Sequence, residues 1–245
     1  MSDEGVKPPL PNLPPDGLLK REHFTAERVR AFSEFIAKQG GSPPLMSEEA
    51  REASRKAVHE SVEPGQDVWV FGYGSLMWNP AIHVAESRVA RIEGFRRAFC
   101  LTLSMGRGTP EKPGLMLGLD EGGECTGIAH RIAAENVESE LTVLWHREML
   151  SGSYNPTWLP ADIRDLGQAR VLTFVIRRDH ARYEGILEDE IAAARIAAGE
   201  GILGTNRDYL FRTSEHLRAL GIADDYVERL DGRVRELTNG KGSAK

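Results

Sequence analysis

An α+β fold with a small, mostly antiparallel β-barrel or sheet and flanking helices is what this sequence predicts, and three observations carry the prediction. Apolar runs at 68–71, 98–103, 115–119, 126–132 and 170–176, separated by Gly- and Pro-bearing turns, read as strands and crowd the first half of the main domain. Apolar residues at helical spacing dominate its second half. The two kinds of element lack the regular strand–helix alternation of a doubly wound sheet.

The elements can be justified in chain order. Residues 1–18 hold a cluster of prolines and little that packs, which predicts an extended, mobile arm without chemistry of its own. Val29, Phe32, Phe35 and Ile36 then recur at helical spacing until Gly40 and Gly41 end the run. Ser47 can cap a second, polar helix, with Glu48 and Glu49 complementing its positive end. These helices read as an accessory segment. The main domain opens at Asp67 and takes in the strands, and its helices run along the stripes Val137/Leu141/Leu144, Leu187/Ile191/Ala194/Ala198, Leu210/Leu217/Leu220 and Val227/Leu230/Val234/Leu237. The predicted division is an arm with accessory helices over 1–66, a main domain over 67–237 and a disordered tail over 238–245. No internal repeat is present.

Composition narrows the function. With 31 Lys and Arg against 37 Asp and Glu, the formal charge is −6, so no general basic field exists to hold nucleic acid or anionic lipid, and the expected partner is a small molecule. Cys100 and Cys125 are the only cysteines and form no CxxC pair, which fits a reducing cytoplasm better than a disulfide framework. No apolar run reaches the length of a membrane span, and the acidic, proline-rich start does not read as a signal peptide. Oligomeric state is not legible.

Two segments stand out chemically. In "DVWVFGYGSLMWNP", a buried strand runs into a turn with two glycines. Dinucleotide binding fails here because the third glycine position is Met77 and Asn79-Pro80 breaks the required helix. A serine nucleophile elbow fails because Tyr73 and Met77 flank Ser75 where glycines are needed. Two readings stay open. One is a cradle in which the amides from Tyr73 to Leu76 converge on an anion or oxyanion; the other is a plain strand-to-loop corner using glycine for positive φ.

The second segment, "ENVESELTVLWHREMLSGSYNP", places Glu148 on the stripe of Val137, Leu141 and Leu144, where a leucine belongs. An inward carboxylate has its pKa raised by desolvation toward the range of a general base at neutral pH. The alternative is an exposed or ion-paired acid in a final helical turn. Glu138 and Glu140 fall off the centre of the stripe and read as solvated. His146, two residues from Glu148, reads as facing elsewhere. The seven histidines show no HxH or HExxH spacing. Cys100 and Cys125 read as packing residues, as do Trp69 and Trp78, and Arg107 offers a guanidinium suited to a carboxylate.

Taken in order, "WVFGYGSLMWNP", "RGTPEKPG" at 107–114, "LWHREM" at 144–149 and "GILGTNRDYL" at 201–210 resemble the ChaC family of gamma-glutamylcyclotransferases over roughly 67–237. The resemblance implies a gamma-glutamylcyclotransferase-like fold around a small barrel, and cleavage of the gamma-glutamyl amide of glutathione to 5-oxoproline and cysteinylglycine. It implies no metal or organic cofactor. It puts the substrate-holding loop on Gly72, Tyr73, Gly74, Ser75 and Leu76 and the general acid/base on Glu148. Many relatives carry Gly-Gly-Tyr just after the glutamate; this chain departs from that pattern with "MLSGSYNP", which shifts the nearest tyrosine to Tyr154, the position onto which the resemblance carries a substrate contact. Two other functions stay open at this level: a cyclotransferase for other gamma-glutamyl amines, and a non-catalytic module that binds a gamma-glutamyl ligand.

Overall fold

A computed structural model describes residues 17–39 and 45–239. The proline-rich arm falls mostly outside the described residues. Two helices come first, α1 (Ala26–Gln39) and α2 (Glu48–Glu60), and Ser47 caps α2 as its sequence requires, its Oγ accepting from the amide of Ala50 at 3.1 Å. The strands β1 (Val68–Gly72), β2 (Glu86–Leu103), β3 (Gly114–Ile132), β4 (Tyr154–Ile163) and β5 (Gly167–Ile176) close a barrel in the order β1-β3-β2-β4-β5. Pairing is antiparallel throughout except at the closure, where Trp69 and Val70 of β1 lie parallel to Val171 and Leu172 of β5, and at one contact of β3 with β5. Between them lie α3 (Ser75–Trp78) and α4 (Val137–Glu148); α5 (Asp189–Ala198), the two-residue strands β6 (Glu200–Gly201) and β7 (Gly204–Thr205), α6 (Asn206–Ala219) and α7 (Asp225–Asn239) come after the barrel.

The α+β barrel expected from the sequence is therefore present, with three corrections. The runs at 115–119 and 126–132 are one long strand, and β2 begins twelve residues earlier than its apolar run, because Ala90 and Ile92 alternate inward between solvent-facing Arg91 and Glu93. β4 has two prolines and no apolar run. It pairs with β2 only at Asp162 and Ile163, so Pro156 and Pro160 need no partner on that side. Finally, α7 runs to Asn239, so residues 238 and 239 are helical where a disordered tail was expected.

Strand periodicity sorts the core into two layers. Phe71, Phe99, Leu115, Leu117 and Val171 join a cluster with α5, α6 and α7, while Val70, Ala98, Cys100, Leu172 and Phe174 join one with α4. Because both faces of the central strands are covered, these strands read as continuous apolar runs. The N-terminal helices belong to this packing. Trp145 of α4 donates its indole N–H to Ser54 of α2 at 3.2 Å, and Arg21 pairs with Glu140. Glu140, expected to be solvated, is fully buried and also accepts from the amide of His83 at 2.9 Å. Its position off the leucine stripe hid this, because the N-terminal segment covers that flank of the helix.

Candidate active site

The turn after β1 is built by close approach rather than by unusual backbone angles. Neither Gly72 nor Gly74 has positive φ, so the plain strand-to-loop reason for these glycines does not hold. A Cβ on Gly72 would lie 2.8 Å from the Cβ of Leu76, and one on Gly74 would lie 2.8 Å from the Tyr209 hydroxyl. The turn is clamped from behind. Arg97, buried with Asp224 as its ion-pair partner, donates to the carbonyl of Tyr73, and His130 bonds the carbonyl of Leu76 at 2.9 Å. With the Tyr73 carbonyl held by Arg97, the planar trans peptide turns the N–H of Gly74 to the opposite side.

Glu148 is the last residue of α4. The apolar stripe Val137, Leu141, Leu144 carries it inward, and its side chain is only 15% exposed. Burial raises its pKa above the ordinary glutamate value, against the opposing charge and hydrogen bond of Arg147, and the negative end of the helix dipole acts in the same direction as burial. Arg147 is the joint of the site: its Nε meets Glu148 Oε1 at 2.8 Å, its Nη2 donates to Ser75 Oγ at 2.7 Å, and its Nη1 donates to the carbonyl of Asn79. One guanidinium thus ties the acid to the glycine turn.

Acid and turn open on one cavity of about 290 Å³, at the small end of small-molecule sites. Ser75, Arg107, Glu148 and Tyr154, all singled out from the sequence, line it. Gly72, Tyr73, Gly74 and Leu76 do not form its wall; the Leu76 side chain packs in the α4 core, and the Tyr73 hydroxyl donates to the carbonyl of Phe174 at 2.8 Å. Arg107 is 8% exposed rather than solvated, and its Nη1 donates to the carbonyl of Thr205 at 2.9 Å. Tyr154 donates to the carbonyl of Leu117 at 3.2 Å. Burial raises the pKa values of Tyr154 and Tyr209, and the Glu148 carboxylate nearby adds to the effect, so both phenols stay protonated.

Three contributions escaped sequence reasoning. Tyr209 lines the cavity between Gly74, Trp78 and Phe99, carried there by Asn206, whose buried side chain bonds both the N–H and the carbonyl of Leu115 at 2.7 and 2.8 Å. The run "TNRDYL" held the signal, since Asn206, Tyr209 and Leu210 fall on one helical face. His146, expected to face elsewhere, lines the cavity and bonds the carbonyl of Phe24 at 2.7 Å. The accessory segment forms a wall as well: Gly17, Leu19, His23, Phe24, Arg28 and Val29 reach the cavity, and the Asn79 side-chain amide holds the Leu19 carbonyl at 2.9 Å.

Arg147→Met removes the cation that holds the Glu148 pKa down. If Glu148 acts as a base, its active form is the carboxylate, and the acid limb of the kcat/KM profile should move to higher pH, while Arg147→Lys restores part of the shift. An unmoved limb would show that Arg147 does not tune the acid.

The model of the family described as ChaC-like protein matches residues 68–237. The chain is 45% identical over 193 residues to the glutathione-specific gamma-glutamylcyclotransferase of Escherichia coli (strain K12), covering 79% of this chain and 84% of that protein. It is 32% identical to glutathione-specific gamma-glutamylcyclotransferase 1 of Rattus norvegicus, covering 82% and 91%. The E. coli match is longer than the family region and the eight residues after it together, so it reaches into the segment before residue 68. In fold, the chain is similar to the crystal structure of the yeast gamma-glutamyl cyclotransferase specific to glutathione, with a TM-score of 0.62 at 20% identity over 70% of this chain and 99% of that one.

Proposed function

The chain belongs to the ChaC family, and from that premise we propose that it cleaves the gamma-glutamyl amide of glutathione to 5-oxoproline and cysteinylglycine. The observation that carries this reading is the Arg147 bridge, which brings a buried, base-competent Glu148 to the glycine turn at the wall of one small cavity.

The chemistry needs no protein nucleophile, because the substrate supplies one. The α-amine of the gamma-glutamyl group attacks its own γ-carbonyl, a C–N bond forms, and a five-membered ring with an oxyanion results. Glu148 takes a proton from the α-ammonium before attack and returns it to the departing cysteinyl nitrogen as the old C–N bond breaks, and the second proton shed by the ring nitrogen leaves on the product amine. No water is consumed. Folding the substrate so that amine and carbonyl meet is an orientation effect, worth roughly 7–11 kcal/mol in the best intramolecular cases. Of the turn only Ser75 lines the cavity, and it is the donor the turn offers the oxyanion or the α-carboxylate. Ser75 Oγ already accepts from Arg147, so its hydroxyl proton is available to the substrate.

Cys100 and Cys125 are both buried, free thiols, and burial pushes the Cys100 pKa up to about 12, which removes it as a nucleophile. A chain with free thiols acting on reduced glutathione fits a cytoplasmic location. Among the described residues, no helix is long and apolar enough to cross a membrane.

The test is incubation of the purified full-length protein with reduced glutathione and quantification of 5-oxoproline and cysteinylglycine. Equimolar release of the two is expected. Release of glutamate instead would mean hydrolysis and would reject the intramolecular route.

A further inference from the structure

Among the described residues, Arg182 in the catalytic cavity is a cation without a compensating carboxylate. Arg182 is 8% exposed and lines the cavity, yet its Nε is buried without a hydrogen-bond partner, and it forms no ion pair among the described residues. Arg28 at the same wall also has a buried Nη1 without a hydrogen-bond partner, Arg107 donates to the carbonyl of Thr205 at 2.9 Å, and two further arginines are paired. Arg97 has Asp224, Tyr73 and Thr126; Arg147 has Glu148, Ser75 and Asn79. A buried guanidinium without an anion is costly, since nothing offsets its lost hydration, and burial lowers the Arg182 pKa accordingly. A fold that keeps such a group at the wall of a binding cavity is organised for an anion that arrives with the ligand.

We propose that Arg182 receives the glycine carboxylate of glutathione and so makes the site read the full tripeptide. The inference rests on glutathione being the substrate and extends that reading to the end of the molecule remote from the chemistry. Glutathione carries two carboxylates. The α-carboxylate shares a carbon with the attacking amine, so it must lie on the Glu148 side, with Arg147 and the turn. Arg182 stands elsewhere. Its backbone is tied to β2, the carbonyl accepting from the amide of Thr102 at 2.9 Å, and it shares the cavity wall with Leu101, Leu103 and Met105. It lies outside ion-pair distance of Glu148. Tyr154 lines the same cavity and is near enough to feel the charge of both Glu148 and Arg182. A substrate with its amine at Glu148 can place its far end at Arg182 within the same cavity. The balance of charge agrees: among the described residues, Arg28, Arg107, Arg147 and Arg182 line the cavity against the one carboxylate of Glu148.

The test compares glutathione with its glycinamide, which keeps every atom of the reacting end and lacks only the terminal charge. In the wild-type protein, kcat/KM for glutathione should exceed that for the glycinamide by about 10- to 10²-fold, the range of one charge-assisted hydrogen-bonded pair. Arg182→Met should erase this preference through KM, with little change in glycinamide turnover, and Arg182→Lys should restore part of it. Because the substitution removes a buried unpaired charge, the thermal midpoint of the unliganded variant should hold or rise. Equal losses on both substrates, or a lower midpoint, would show a structural role and overturn the proposal. So would loss of the preference in Arg28→Met with its retention in Arg182→Met. Calorimetric binding of the two compounds to the same variants gives the same ratio without turnover. If 5-oxoproline is never released, the cleavage reading fails while the binding ratio still decides the role of Arg182.

Discussion

Glu148→Gln lowers turnover of glutathione by about 10²-fold or more, the scale of a lost general base, while the variant still binds the substrate. Glutamine keeps the shape of the side chain and an acceptor for Arg147 Nε but cannot carry the proton. The loss should appear in kcat, since Ser75, Tyr154 and Arg182 still line the cavity. A stability measurement separates this from misfolding. The native pKa of Glu148 lies above its unfolded value, so the wild-type fold binds the extra proton and loses that contribution as pH rises through the native pKa. The variant does not titrate there. Its stability relative to wild type should improve as pH rises through that interval. Near-normal turnover in the variant would remove Glu148 from the mechanism.

The second large effect is expected at Gly74. A Cβ at this position meets the Tyr209 hydroxyl at 2.8 Å, with Leu117 Cβ and Cδ1 at 3.7 Å. Tyr209 has little room to withdraw, being edge-on to both Trp78 and Phe99. Gly74→Val, which adds branched bulk, must therefore push the turn and Tyr209 apart. Substrate affinity and turnover should both fall, by about 10²-fold in kcat/KM, on the view that small displacements of positioning groups carry effects of this size. Far-UV circular dichroism should stay native, because the barrel pairings of β1 end at Gly72. Turnover surviving in Gly74→Val would show that the turn does not position the reaction.

Much of the fold was legible because the signals were local. Ser47 capped its helix, the stripe Val137, Leu141 and Leu144 pointed Glu148 inward, and the apolar runs marked the strands covered on both faces. The misreadings share a cause. Glu140 was read as solvated and His146 as averted because periodicity identifies one buried stripe, whereas α4 is covered on a second flank by Arg21 and Phe24. β4 was invisible because its prolines suppress strand signals and are tolerated only along the stretch β2 leaves unpaired.

Taken alone, the order of motifs along the chain determined the barrel class, the family and the inward direction of Glu148, because each depends on which residues are neighbours in sequence or on one face of an element. The tertiary structure decided which charges are compensated. Arg182 and Arg195 look alike in sequence, but folding gives Arg195 the carboxylate of Glu184 and, among the described residues, leaves Arg182 in the cavity wall with none. Likewise, only the closed barrel and the segment laid over it bring residues 17–29 beside Glu148. The strength of a charge depends on how much water surrounds it and on what lies across from it, and both are set by elements far apart in the chain.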